Sequence, residues 1–89
     1  MVVSQAPSPT VPNGVVVTAR LSDVLTRKPV IGARLNLSAG GTYVTKPTTR
    51  TGTVRHTFVV AEPTSGWVEW PGTWTWGSAF TDLALAPPP

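Results

Sequence analysis

Chemistry in a short chain begins with its ionisable and nucleophilic side chains, and here they are few. The 89 residues include no cysteine and one histidine, His56. That composition excludes a thiolate metal site, a cysteine nucleophile and a multi-histidine metal site. His56 lies in an alternating stretch, Thr53 to Val60, where a structural role is expected. The carboxylates Asp23, Glu62, Glu69 and Asp82 are isolated in sequence. A catalytic pair or a calcium site would need them to converge in three dimensions, and the expected reading is solvated loop and outer-face charges. No Gly-x-Ser-x-Gly elbow or other nucleophile motif is present, nor a glycine-rich phosphate loop leading into a helix. These features predict a chain that is not an enzyme and uses no cofactor or metal.

Recognition falls instead to aromatic residues. Trp67, Trp70, Trp74 and Trp76 lie within ten residues. Trp74 and Trp76 share parity around Thr75, so extended backbone would project both indoles to one side, ready to stack on sugar rings or fill a partner's pocket. One or two of the four can plug a thin core, and at least one is expected at an interface.

Charge sets a second bound. Seven Lys plus Arg against four Asp plus Glu give a net charge of +3. The basic residues Arg20, Arg27, Lys28, Arg34, Lys46, Arg50 and Arg55 are spread along the chain without a run, which argues against nucleic acid as a partner and leaves an acidic surface open. The N-terminal residues have no positive n-region and no apolar run long enough for a signal peptide or a membrane span, so no membrane contact is expected. The chain reads either as a complete product that acts without secretion or as one module of a longer protein.

The elements that must hold these residues are strands. Residues 1–13, with Pro7, Pro9 and Pro12, cannot form a helix and read as an extended arm. Residues 87–89 form a proline tail that cannot continue a central strand. One compact domain over 14–86 is expected between them, small enough to have a thin core. No window keeps a helical period, whereas period-two alternation recurs. Val15, Val17, Ala19 and Leu21 share one face, as do Ala33, Leu35 and Leu37. Val54, His56, Phe58 and Val60 share another, with Phe58 as a core anchor. Ser22 to Pro29 reads as a polar connection. Gly40-Gly41 marks a tight turn or bulge before a short strand, Thr42 to Lys46. Further strands are expected from Gly66 to Trp70 and from Ala79 to Ala86, the latter with Thr81, Leu83 and Leu85 inward.

The stretch Ala19 to Leu37, with Pro29-Val30-Ile31-Gly32 before an alternating strand, then Thr51-Gly52 and Gly66-Trp-Val-Glu-Trp-Pro-Gly, resembles the bacterial Ig-like repeats of surface and virion accessory proteins. The resemblance covers about residues 14–86. It implies an all-β fold, an immunoglobulin-like antiparallel β-sandwich flanked by the N-terminal arm and the Pro-rich C-terminal tail. Members of this class serve as stalk spacers, adhesion modules, appendages of carbohydrate-active enzymes and decorations on tailed-phage virions, and they carry no catalytic motif to transfer. This chain departs from the pattern by lacking the usual Asp at the corner and by its tryptophan-rich Trp70–Gly77 segment, which speaks against an inert spacer.

A short chain beginning at Met, with an Ig-like fold and extended ends, resembles a phage capsid decoration or head accessory protein. The first expectation is therefore a virion structural protein on the capsid surface that binds capsid protein or neighbouring copies of itself and reinforces the shell. Val2, Val3, Pro7, Pro9, Pro12, Trp70, Trp74, Trp76, Pro87 and Pro88 are the expected contact residues, and cell-surface polysaccharide is a further possible partner. The alternative is an adhesion or carbohydrate-binding module of a secreted or cell-surface bacterial protein. Removing residues 1–13 is expected to leave the domain folded but to weaken assembly, because these residues add partner contacts and little core.

Overall fold

The structure is a computed structural model, and it describes residues 1–23, 25–72 and 79–87. Its strands are β1 (Val2–Pro7), β2 (Gly14–Arg20), β3 (Arg34–Ala39), β4 (Thr42–Pro47), β5 (Thr53–Val59), β6 (Thr64–Trp70) and β7 (Ala79–Leu85). No helix occurs among the described residues. The strands form two antiparallel sheets, ordered β1-β2-β5 and β4-β3-β6-β7, packed as a β-sandwich.

Alternation dictates the packing. Val15, Val17 and Ala19 of β2 and Val54 and Phe58 of β5 are buried. Opposite them lie Leu35, Leu37 and Ala39 of β3, Val68 and Trp70 of β6, and Leu83 and Leu85 of β7. Strand side chains point alternately to either face, so these residues meet between the layers while their sequence neighbours face outward. The inward sets read from the sequence agree with this core, except that Ala33, His56 and Thr81 are only half-buried. A two-residue turn, Gly40-Gly41, joins β3 to β4. Its φ angles of 57° and 83° define the mirror-image hairpin turn that matches strand twist and favours glycine at both central positions.

The arm expected over 1–13 is corrected across Val2–Pro7. These residues are an edge strand paired antiparallel to β2, from Val2 opposite Arg20 to Pro7 opposite Val15. Val3 and Met1 pack on the core. Proline stops a helix or a central strand, but it is tolerated at the end of an edge strand, so Pro7 does not bar pairing. The connection back to β2 is closed by Ser8 N–H to Gly14 O at 2.8 Å and Gly14 N–H to Val11 O at 2.9 Å.

The registers place one set of connections at one end of the sandwich. Val2, Arg20 and Thr53 end the smaller sheet there, and Arg34, Pro47, Trp70 and Ala79 end the larger one. Connections 21–33, 48–52 and 71–78 all depart from this end. Two of them are pinned together by Thr48, whose buried hydroxyl donates to Val30 O at 2.6 Å and accepts from Ala33 N–H at 2.9 Å. Gly32 N–H to Thr48 O and Thr48 N–H to Ala33 O complete the clasp at 3.1 and 2.8 Å. Gly52 closes the 48–52 turn with φ of 73°, and a Cβ there would run into Leu21 O and lie 3.0 Å from Pro29 Cβ.

Candidate functional site

Among the described residues, the outward face of the larger sheet carries a cluster of aromatic side chains. By register, Tyr43 of β4, Ser38 of β3, Trp67 of β6 and Asp82 of β7 form one cross-strand row. Thr45, Asn36, Glu69 and Phe80 form the next row toward the loop end. Tyr43 and Trp67 sit on strands separated by β3, and the small Ser38 between them lets the rings meet edge to face at 5.8 Å. Trp67 and Phe80 meet diagonally, their centroids 6.2 Å apart and their planes within 24°. Tyr43 and Phe80 are 59% and 58% exposed, and Trp67 is half-buried between them. The result is an aromatic band across three strands.

Polar groups border this band in a fixed arrangement. Asn36 Nδ2 donates to Glu69 Oε1 at 3.1 Å, and Thr45 Oγ1 donates to Asn36 Oδ1 at 2.9 Å. The chain Thr45–Asn36–Glu69 thereby holds its amide and carboxylate in one orientation, and Asp82 is exposed beside Trp67. Flat apolar rings next to oriented acceptors and donors suit a ligand that has both an apolar face and hydroxyls.

Among the described residues, the contact residues expected from the sequence are not brought together. Val2 is 70% exposed at the loop end. Pro7, Pro9 and Pro12 are exposed near the opposite end, and Pro87 is half-buried beyond β7 there. Val3 faces the core, which corrects its assignment to a partner. Trp70 is also corrected, because it is 7% exposed and part of the core; its parity in β6 matches buried Val68 and opposes Trp67. Trp74, Trp76 and Pro88 lie outside the described residues. Tyr43, Phe80, Asn36 and Ser38 were missed. Strand parity marks each as outward, but the order β4-β3-β6-β7 that makes them neighbours has no local sequence signal.

His56 lies on the inward side of edge strand β5, its ring 4.7 Å from that of Phe58 at 72°. Partial burial, and then the nearby Lys46 ammonium, hold its pKa below the ordinary 6.5. Among the described residues no three His, Asp or Glu side chains gather as metal ligands. Near the loop end a groove of about 400 Å³ is lined by Val30 to Arg34 and Trp70 to Gly72.

Comparison of the chain with protein families, with curated proteins and with solved structures gives no match.

Proposed function

We propose that this chain is a non-enzymatic binding module with an immunoglobulin-like sandwich, and that the exposed face of β4-β3-β6-β7 binds polysaccharide. The Ig-like assignment is supported by the way strands alternate between layers, with β1, β2 and β5 in one sheet and β3, β4, β6 and β7 in the other. This division, with β2 and β5 paired as neighbours, is the Greek-key pattern of such sandwiches. One observation carries the ligand class: the aromatic band Tyr43–Trp67–Phe80 bordered by Asn36, Glu69 and Asp82. Sugar rings present C–H faces to aromatic planes and hydroxyls to the flanking acceptors, so such a band grips a glycan without any moving part.

Affinity electrophoresis of the chain through gels containing β-glucan, xylan, mannan or hyaluronan tests this reading. At least one polymer is expected to retard migration, and Trp67→Ala to restore it. Unretarded migration in every gel would remove the glycan reading.

A second reading, a virion decoration protein, is favoured by β1. This edge strand leaves one row of backbone groups open to strand addition by a neighbouring subunit, and Val2 is 70% exposed at its start. Saturable binding to capsid shells without any effect of polysaccharide would favour it.

A further inference from the structure

The charges that look scattered in sequence are gathered by the fold. Arg27 and Lys28 lie in the 21–33 connection and Arg50 in the 48–52 turn. Arg20 is the last residue of β2, Arg34 the first of β3, Lys46 the last but one of β4 and Arg55 the third of β5. All seven basic residues thus lie at or near the loop end, and all but Lys46 are exposed. Lys46 Nζ donates to Arg55 O at 3.0 Å, and among the described residues none of the seven makes an ion pair. Two carboxylates share this end. Asp23 is engaged by the N–H groups of Leu25 and Thr26, and Glu69 by Asn36. The opposite end holds Glu62, in the 60–63 connection, and no basic residue.

This cationic end is continuous with the aromatic face. Arg34, Asn36 and Ser38 project to the same side of β3, so Arg34 lies about 13 Å along the strand from the Ser38–Trp67 row, at ~3.3 Å per residue. A linear polymer lying along β3 from Trp67 would leave the aromatic band and meet Arg34, then the cations of the connections beyond it. Glu69 and Asp82 on the band accept hydroxyls and would repel a uniformly charged chain. A duplex nucleic acid would be met by a stripe or groove of cations, whereas here they ring an end next to a sugar-binding face.

We infer that the polymer bound is an acidic polysaccharide in which neutral and carboxylate-bearing sugars alternate, the neutral sugar on Trp67 and the carboxylates at the cationic loop end. This inference rests on the glycan reading above.

The probes are hyaluronan, a linear polymer of alternating glucuronate and N-acetylglucosamine, and the same polymer with its carboxyl groups reduced to alcohols. Titration of the full chain should show the acidic form binding about tenfold more tightly at low salt, from a few exposed charge contacts. The advantage should vanish near 0.5 M salt, where screening is short-ranged (~4 Å). A triple variant, Arg27→Gln, Lys28→Gln and Arg34→Gln, should remove the preference while leaving binding of the reduced polymer unchanged, and Trp67→Ala should weaken both. Equal binding of the two polymers would overturn the inference and keep the glycan reading. Binding of the acidic form that persists in Trp67→Ala would remove the aromatic-face reading instead. Equally tight binding to phosphatidylglycerol vesicles or duplex DNA would overturn the inference by showing attraction to any polyanion.

Discussion

Three single residues carry separate duties that burial and bonding make distinguishable. Trp67 lies half-buried between Tyr43 and Phe80 on the outward face, and on the proposed glycan reading Trp67→Ala should abolish polysaccharide binding while the chain stays folded. Thr48 is buried at 5% exposure and satisfies both Val30 O and Ala33 N–H. Thr48→Val keeps the shape and strands both partners, so thermal or urea unfolding should show a loss of about 2 kcal/mol, the scale of unpaired buried polar groups. His56 gives a pH dependence of definite sign. Its folded pKa is held below 6.5 by partial burial and Lys46, so the folded state disfavours the proton relative to the unfolded chain. Its contribution is complete above about pH 6.5 and declines as pH falls toward the folded pKa. Melting temperature should therefore drop between about pH 7 and pH 5 in the native chain, and this component of the drop should disappear in His56→Gln.

At the scale of elements, β1 is the informative case. A detached arm would be dispensable, but Val2–Pro7 completes the three-stranded sheet, and Val3 packs over the core. Removing residues 1–7 leaves β2 as an edge beside β5 and uncovers part of the layer that holds Val15, Val17 and Ala19. The expected outcome is a lower melting temperature and concentration-dependent aggregation, since an uncovered edge templates pairing with other chains. An unchanged melting curve would return residues 1–7 to the status of an arm. Gln5 ties the same strand across to the other sheet, donating from Nε2 to Ala84 O at 3.0 Å. The Gly40-Gly41 turn acts likewise at element scale, fixing the register that sets Tyr43 opposite Ser38.

Considered as a whole, the molecule has a long axis and a charge polarity along it, its extents being 40 × 21 × 17 Å. The end holding the basic residues and the aromatic face share an edge at Arg34, so one extended ligand can touch both. Net charge alone, +3, understates this polarity because the carboxylates Glu62 and Asp82 lie away from the cationic end. Raising ionic strength should weaken binding of an acidic polymer far more than binding of a neutral one, because exposed charge contacts are screened and ring stacking is not.

The sequence by itself determined six of the seven strands, most of the inward residues and the turn at Gly40-Gly41. Each is a local property, set by period-two alternation or by the φ that a residue can adopt. The tertiary structure alone decided that Val2–Pro7 joins a sheet, because an edge strand is defined by what it pairs with and not by its own composition. Likewise, only the strand order set Tyr43, Trp67 and Phe80 side by side and drew seven dispersed cations to one end. Tyr43 and Trp67 are 24 residues apart and Trp67 and Phe80 are 13 apart, and pairing at such separations is fixed by the packing of two layers, which leaves no mark in a short window of sequence.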